Sequence, residues 1–450
     1  MVASILIKNA TIVTMNAQRQ IFARGSLLIK GDRLVKVTPE NLEEEPGMEV
    51  VDADGKIIIP GFINTHVHTS QQLARGLGDD VSLSVWLHER IWPFESNICE
   101  EDSYISTLLC GLEQIHSGVT TFAEAGGQHV NGIGRAVQEL GLRTILARST
   151  MDCGEGLPPK MVESTNEALV IQEENLLRWH GQAEGRIRVW FSLRTIFNNS
   201  DTLITCTKAL ADRYGVGIHM HVAEVKEEVE FSRQTRGHTT VEHLEHLGVL
   251  DKNLLAVHAV WLTEHEIELF AHRGVKVSHN PAAAMRVLGF ARIPEMIARG
   301  VTVSIGTDGA PSNNRMSLID EMWLTSLIHK GRTLDPTVMP AQVILEMATV
   351  NGARCLLWED EIGSLEAGKK ADLVIINPRT ANMLPVHDLI SNLVTAMKTE
   401  NVESVMVDGR WLMREGKILT VDEEEVYREV KERAAAIRKR AGIRLPKWRE

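Results

Sequence analysis

The chain has 450 residues, of which 44% are hydrophobic and 24% charged, a composition typical of a globular protein with a substantial core. A net charge of −12, with no Lys/Arg cluster outside the C-terminal tail, argues against nucleic acid as a partner. No apolar run approaches the roughly 18 residues of a membrane span, so we expect no membrane association. The five cysteines form no CxxC pair, which favours a cytoplasmic protein.

The first 59 residues have the pattern of a small β-sheet. Residues 4–14, 25–37 and 49–59 are runs rich in β-branched residues, and Asn, Asp and Gly punctuate them at turns. We therefore predict that residues 1–59 form hairpins of one sheet.

Residues 60–370 show a different period, in which short buried-strand patterns alternate with longer helical stretches. Eight such strand runs predict an α/β protein built as a (β/α)8 TIM barrel. The runs are 61–66, 119–124, 143–148, 188–193, 216–223, 254–260, 275–280 and 301–308.

Strand-like runs return in residues 371–420, with ADLVIIN and ESVMVDGRWL. Residues 421–450 contain strong helix formers and interleaved charges, which predict a solvated terminal helix followed by a tail.

Polar residues stand at or just beyond the ends of five of the eight predicted strands. Active sites of such barrels lie at the C-terminal ends of the strands, so we expect these side chains to meet in one mouth. They are His66 and His68 on the first strand, His221 and Glu224 on the fifth, His258 on the sixth, His279 on the seventh and Asp308 on the eighth.

Four of these residues suit a catalytic Zn²⁺ site. His66, His68, His221 and Asp308 offer three imidazoles and one carboxylate, and Fe²⁺ is a second candidate. A bound Zn²⁺ lowers the pKa of a water molecule to roughly 7 and so supplies a nucleophile near neutral pH.

Three residues are predicted to assist that nucleophile. We expect Glu224 to carry a proton to a ring nitrogen of the substrate, and Asp308 to accept a proton from the water. His258 would orient the nucleophile, with a ligand role left open. His279 either closes the pocket floor, where it would touch substrate, or bonds a neighbouring loop.

These motifs resemble the amidohydrolase superfamily, in particular the aminohydrolase branch that includes S-adenosylhomocysteine/methylthioadenosine deaminases, guanine deaminase and triazine hydrolases such as atrazine chlorohydrolase. The resemblance covers nearly the whole chain. It rests on PGFINTHVHTSQQLARGL, HVAEVKEEVE, AVHAV, VSHNPAAA, GTDGAPSNN and EIGSLEAGKKADLVIIN.

The resemblance implies a barrel flanked by a composite β-sandwich formed by the N- and C-terminal segments, and a homo-oligomer. Superfamily members with two metals usually place a carboxylated lysine at the end of the fourth strand, where this chain has Arg194. Since arginine does not carbamylate, one metal ion per subunit is expected.

Substrate residues are also implied by the resemblance. In the segment LHERIWPFE, Glu95 matches a glutamate that bonds ribose hydroxyls, and Trp92 could stack on a base. Arg148 matches a position that binds the carboxylate of homocysteine-type substrates.

Two features depart from the adenosyl-deaminase pattern. Arg194 replaces a histidine and is similar to an arginine of guanine deaminase, which favours an oxo-bearing or anionic group. Ala283-Ala284 replaces an expected Ser-Asn.

We therefore predict a zinc-dependent aminohydrolase that deaminates a small N-heterocyclic substrate, first of all S-adenosylhomocysteine, 5′-methylthioadenosine or a related adenosine nucleoside. One alternative is a hydrolase of a guanine-like, pterin or s-triazine substrate, in which the leaving group can be ammonia or chloride. A third is a non-catalytic binding protein on the same fold.

Overall fold

The computed structural model describes residues 4–82 and 85–445. The last five residues of the predicted C-terminal tail lie outside the described residues. None of the helices in the described ranges is both long and apolar enough to cross a bilayer.

A nine-stranded sheet joins the two ends of the chain. Leu373–Ile376 pairs antiparallel with Ile57–Pro60, so a C-terminal strand lies directly beside an N-terminal one. The strands of this sheet are Ser4–Val13, Ile21–Lys30, Arg33–Thr38, Glu49–Asp52, Ile57–Pro60, Leu373–Ile376, Val402–Val407, Arg410–Arg414 and Lys417–Ile418.

One part of the predicted hairpin pattern is wrong. Arg33–Thr38 does form a hairpin with Ile21–Lys30, but Glu49–Asp52 and Ile57–Pro60 both run parallel to Ser4–Val13. Parallel pairing needs a long connection, and residues 14–48, which include the hairpin of Ile21–Lys30 and Arg33–Thr38, supply it between Ser4–Val13 and Glu49–Asp52.

Parallel strands occur at all eight positions that the sequence predicted. They form sheets of four and six strands, and each strand is buried at nearly every position, as expected for strands covered on both faces. The strands are Phe62–Val67, Val119–Glu124, Arg143–Leu146 with Ser149–Thr150, Ile187–Val189 with Phe191–Leu193, Ile218–Val222, Leu254–His258, Lys276–His279 and Val303–Ile305.

The two parallel sheets are connected at both sides. The third and fourth strands are each split, so that one half pairs within the four-stranded sheet and the other within the six-stranded sheet. At the opposite side, the backbone N–H groups of Thr307 and Asp308 donate to the His66 carbonyl at 3.1 and 3.0 Å. The eighth strand therefore returns to the first.

Helices follow the parallel strands and cover them. The α-helices are Trp92–Glu95, Glu100–His116, Val130–Leu140, Thr165–Trp179, Asp201–Tyr214, Lys226–Arg236, Thr240–His246, Glu264–Arg273, Pro281–Ala283, Ile293–Ala298, Ala310–Asn313, Leu318–Thr333, Ala341–Met347, Val350–Cys355, Leu389–Thr395 and Glu423–Arg440. Shorter 3₁₀ turns occupy Thr69–Ala74, Pro159–Met161 and Thr399–Asn401, and π-helical turns occupy Trp86–Ile91 and Ala284–Leu288.

The C-terminal helix is packed rather than solvated on all sides. Its N-cap, Asp422, accepts from two backbone N–H groups of the first turn. Ile437 is fully buried, and Arg440 pairs with buried Asp102 on the helix Glu100–His116. The interleaved charges of this helix therefore lie on its outer face, and its inner face is packed against the rest of the protein.

A buried ionic cluster fastens the nine-stranded sheet to the parallel strands. The Arg143 guanidinium donates to both carboxylate oxygens of Asp372, at 2.9 and 3.1 Å, and also to Asp408. The Asp408 backbone N–H donates to Asp372 at 2.9 Å. Each of the three side chains is at most 3% exposed.

Candidate metal and catalytic site

A cavity of about 720 Å³ opens at the C-terminal ends of the parallel strands. This is the end at which barrel proteins place their active sites. It is lined by His68, Gln71, Trp86, Leu87, His88, Trp92, Cys153, Gly154, Glu155, Arg194, Thr195, Phe197, Asn198, His221, Glu224, Val225, Glu228, Phe231, His258, Asp308 and Ser312.

The first strand, Phe62–Val67, and the residue after it bring two histidines to this end of the strands, and His68 lines the cavity. The period of two along a strand turns His66 and His68 to the same side. His66 is completely buried, and its Nε2 atom has no hydrogen-bond partner within the described residues. A buried polar atom without a partner is costly, so its position calls for a bound ion.

The eighth strand brings a carboxylate to the same point. Oδ1 of Asp308 lies 3.4 Å from Nε2 of His66 and 3.5 Å from Nε2 of His68. Two donor atoms each about 2.1 Å from a tetrahedral Zn²⁺ are separated by about 3.4 Å. The spacing therefore fits atoms that share one ion.

The fifth strand contributes the third histidine. Nε2 of His221 lies 3.4 Å from Nε2 of His68, and the Nδ1–H of His221 donates to the Arg194 carbonyl at 2.9 Å. That bond leaves the Nε2 lone pair of His221 for a metal. Burial lowers the pKa of His66, His68 and His221 well below the usual 6.5, so all three imidazoles are neutral donors near pH 7.

His258 stands against this group from the sixth strand. Its ring, together with those of His66 and His221, offers donor atoms that lie within 4.8 Å of one another. Both of its nitrogens lack a partner in the described residues, and its Nε2 lies 3.6 Å from Oε1 of Glu224. This position allows either a bond to a bound water or direct ligation.

Glu224 stands just beyond the fifth strand, at the cavity wall. Its side chain is 26% exposed, and burial raises the pKa of its carboxyl, with the nearby Asp308 carboxylate adding to the shift. Its backbone N–H and that of Ala223 each donate to Glu228 at 2.9 Å. Glu228 thus fixes the turn that presents Glu224.

The backbone is strained where these side chains leave their strands. His258 and Asp308 have φ values of 68° and 62°, and Ala223 has 49°. Left-handed conformations cost of order 1–3 kcal/mol in non-glycine residues and are common at functional sites. Here they turn the side chains into the cavity.

His219 belongs to the site although the sequence reasoning did not single it out. Its Nε2 lies 3.1 Å from Nδ1 of His66, and the two rings stack at 5.0 Å. With Nε2 of His66 directed at the ion, its Nδ1–H donates to His219. The sequence did contain a signal for this residue, because His219 is two residues before His221 on the same strand and so faces the same side.

Two predicted substrate residues lie on the short helix Trp92–Glu95; Trp92 lines the cavity, and Glu95 lies behind the lining residues Gln71 and Arg194. The Glu95 Oε1 accepts from Nε2 of Gln71 at 2.7 Å and lies 3.9 Å from Nη1 of Arg194. The other oxygen, Oε2, is buried without a partner in the described residues and so is a free acceptor. Trp92 lines the cavity nearby and contacts His88 edge to face.

Two other predicted substrate residues are engaged elsewhere. Arg148 forms a two-pronged ion pair with Glu163 and donates to Gln128 at 2.9 Å. Nε2 of His279 lies 3.1 Å from Nε2 of His329, on the helix Leu318–Thr333. Neither Arg148 nor His279 lines the cavity as the described residues form it.

Comparison with known proteins finds similar sequences over most of the chain. Residues 57–412 match the sequence model of the Amidohydrolase family. A 5′-deoxyadenosine deaminase of Methanobrevibacter smithii is 39% identical, over 95% of this chain and 97% of its own length. A 5-methylthioadenosine/S-adenosylhomocysteine deaminase of Moorella thermoacetica is also 39% identical, over 95% and 98%.

Solved structures extend the likeness to the fold. A zinc-bound adenosine deaminase from Xanthomonas campestris superposes with a TM-score of 0.92 at 27% identity, covering 97% of this chain and 99% of its own. A zinc complex of atrazine chlorohydrolase from Arthrobacter aurescens gives 0.89 at 26% identity, covering 96% and 100%.

Proposed function

This chain belongs to the amidohydrolase family, and from that premise we propose that it is a zinc-dependent aminohydrolase that removes the amino group from the purine ring of a 5′-modified adenosine nucleoside. The observation that carries the proposal is the group of three neutral histidines and one aspartate beside Glu224, at the base of a cavity large enough for a nucleoside.

Four residues would hold one ion per subunit: His66, His68, His221 and Asp308. The donor set is suited to Zn²⁺, and Fe²⁺ accepts the same ligands. The ion, when bound, lowers the pKa of a water molecule and polarises it for attack. Arg194 cannot bridge a second metal, which supports a single ion.

Two carboxylates would move the protons. Asp308 would accept a proton from the attacking water, and Glu224 would deliver a proton to the purine nitrogen next to the attacked carbon. The raised pKa of Glu224 suits this role, since a group that ionises closer to neutral pH can both take up and release a proton. His258 would orient the water, and the products are the oxo-purine nucleoside and ammonia.

Substrate positioning would fall to the wall of the cavity. The unpaired Oε2 of Glu95 can accept from a ribose hydroxyl, and Trp92 offers an aromatic surface for the base. The names of the relatives from Methanobrevibacter smithii and Moorella thermoacetica support an adenosine nucleoside as the substrate.

A second candidate is a hydrolase of a guanine-like, pterin or s-triazine compound. It is favoured by the Arg194 side chain at the cavity, whose donors suit an oxo group, and by the likeness to atrazine chlorohydrolase. A non-catalytic binding protein is disfavoured, because the metal donors and Glu224 stand in a geometry that serves catalysis.

We further propose a closed (β/α)8 barrel over residues 60–370, flanked by a composite sandwich from residues 1–59 and 371–420. The segment 421–450 forms the terminal helix and tail. The resemblance supports a homo-oligomer, and the five unpaired cysteines agree with a cytoplasmic location.

An ammonia-release screen of the zinc-loaded protein tests the function. We expect turnover of 5′-deoxyadenosine and 5′-methylthioadenosine, and a fall in kcat/KM of about 100-fold in the Glu95→Ala variant, because ribose hydroxyls lose their acceptor. The second candidate would be established instead by two results together. The protein would hydrolyse guanine, pterins or triazines but no adenosine nucleoside, and its kcat/KM would not change in the Glu95→Ala variant. If the protein showed neither activity and bound no near-stoichiometric metal, the proposal that it is an enzyme would be refuted.

A further inference from the structure

The charges around the cavity are unequally distributed. Among the described lining residues, four are carboxylic acids and one is an arginine. The acids are Glu155, Glu224, Glu228 and Asp308. The charge of Asp308 would be offset by the ion that it helps to hold, so the surroundings of the ion itself do not repel an anion. Away from the ion, the lining sets Glu155 and Glu228 against the single arginine, so a substrate group that carries negative charge meets more acids than arginines there.

The lining arginine is already close to an acid. Nη1 of Arg194 lies 3.9 Å from Oε1 of Glu95, and its side chain is only 12% exposed. Its charge is thus partly balanced before any substrate binds. A carboxylate approaching Arg194 would also approach Glu95.

Arg148, on the third strand side of the mouth, is more completely occupied. Nη1 donates to one oxygen of Glu163 at 2.8 Å and Nη2 to the other, while Nη2 also reaches Gln128. Such a two-pronged pair is among the strongest charge contacts in proteins. At 10% and 18% exposure of the two side chains, solvent screens it weakly.

The Arg148–Glu163 pair is connected to the cavity wall through Met151. The Glu163 backbone N–H donates to the Met151 carbonyl at 3.0 Å, and Met151 packs in one apolar cluster with the lining residue Trp92. An arginine released at this place would add a positive charge next to the cavity, whereas the pair adds none.

A third arginine near the mouth is engaged as well. Arg286 lines the part of the cleft next to Glu224 and Asp308. It forms an ion pair with Asp79 and donates to the Pro311 carbonyl at 3.1 Å.

We propose that the cavity selects adenosine nucleosides with a neutral or positively charged 5′ substituent and discriminates against those with a carboxylate or phosphate, and that Glu163 sustains this choice by holding Arg148. This inference rests on the proposed function and narrows it. It makes 5′-deoxyadenosine and 5′-methylthioadenosine better substrates than S-adenosylhomocysteine, because the tail of the latter is zwitterionic and its carboxylate would meet arginines that are already paired with acids.

A series of nucleosides that differ at the 5′ position tests the selection. The zinc-loaded protein is assayed with 5′-amino-5′-deoxyadenosine, 5′-deoxyadenosine, adenosine 5′-carboxylate and S-adenosylhomocysteine. We expect kcat/KM for the 5′-carboxylate to be about 100-fold below that for 5′-deoxyadenosine, because a carboxylate buried without a partner is penalised. We expect the 5′-amino compound to match or exceed 5′-deoxyadenosine.

Glu163→Gln tests the part played by the ion pair. The substitution frees Arg148, and we expect kcat/KM for adenosine 5′-carboxylate to rise about tenfold while that for 5′-deoxyadenosine stays within twofold. Glu174→Gln is the matched control, since it removes the same charge from the exposed face of the helix Thr165–Trp179 and should change neither value.

The outcomes separate the inference from the function beneath it. Equal kcat/KM for the 5′-carboxylate and the neutral compounds overturns the proposed selection against carboxylates, but it does not contradict the proposed deaminase activity. No turnover of any nucleoside overturns the proposed function itself. The role of Glu163 is overturned if the Glu163→Gln variant folds, as judged by its circular dichroism, but keeps the wild-type ratio of kcat/KM for adenosine 5′-carboxylate to that for 5′-deoxyadenosine. If that variant does not fold, the nucleoside series with the wild-type protein still decides whether the selection exists.

Discussion

Two buried polar clusters, one at each end of the parallel strands, differ in how fully their atoms are paired. At the end that meets the nine-stranded sheet, Arg143 is matched by Asp372 and Asp408. At the other end, Nε2 of His66 and both ring nitrogens of His258 have no partner in the described residues. The first group is the saturated cluster, because each of its three charges faces an opposite charge, and removal of one partner would leave a buried charge unpaired. The second group is the unsaturated cluster, whose unpaired ring nitrogens support the proposed ion site.

The largest effect should come from the unsaturated cluster. Glu224→Gln removes the proposed proton carrier but keeps the shape of the side chain, so we expect kcat to fall by about 10³ to 10⁴. Metal analysis should still find one zinc per chain, because Glu224 is not among the ligands. Turnover at the wild-type rate would show that another group moves the proton.

The saturated cluster should instead respond in stability. Asp372→Ala leaves the Arg143 charge with only Asp408 nearby, and breaking a buried ion pair costs about 3–5 kcal/mol of unfolding free energy. Urea unfolding measures this loss, with Asp54→Ala at an exposed aspartate as the control. We expect zinc affinity to stay unchanged under conditions where the variant is folded. A loss of zinc affinity as large as the loss of stability would remove the distinction between the clusters.

His219 lies beneath the unsaturated cluster and should affect metal binding more than folding. Loss of a group that orients a metal ligand typically weakens affinity about 10- to 100-fold. We therefore expect His219→Ala to weaken zinc binding by that factor in a chelator competition, while the exposed His246→Ala has no effect. An unchanged dissociation constant would mean that His66 is held by its backbone alone.

The smallest effect is expected at the rim. Arg194→Met should change the ratio of kcat/KM for adenosine nucleosides to that for guanine by about 3- to 10-fold, since its side chain lines the cavity and we propose that it contacts the substrate rather than the reacting atoms. The free energy of unfolding should change by less than about 1 kcal/mol, with Arg213→Met on an exposed helix as the control. A folding defect would identify Arg194 as structural.

The sequence predicted much of the fold because its signals are local. Runs such as VTTFAE and LLAVH combine apolar and β-branched residues with at most one charged residue, a composition typical of buried parallel strands, and the structure has a strand that is buried along its whole length at each. The spacing of two in THVH predicts that both imidazoles face one side. The position of Asp308 at the end of the eighth strand predicts where it emerges.

The contacts of Arg148 with Glu163 and of His279 with His329 could not be predicted from such local patterns. Glu163 is 15 residues beyond Arg148, and His329 is 50 residues beyond His279, and no local pattern links either pair. Which donor meets which acceptor depends on how the loops and helices pack. The parallel course of Glu49–Asp52 beside Ser4–Val13 is a further case, because strand runs by themselves do not state their direction.

The sequence by itself determined the alternation of strands and helices, the family, and which strand ends carry His66, His68, His221, His258 and Asp308, since side-chain periodicity and strand ends are properties of the local chain. Only the tertiary structure decided which polar atoms remain unpaired. It left His66 and His258 open to an ion and closed Arg148 with Glu163, because pairing is settled by distances of a few ångströms between residues that are remote in the chain.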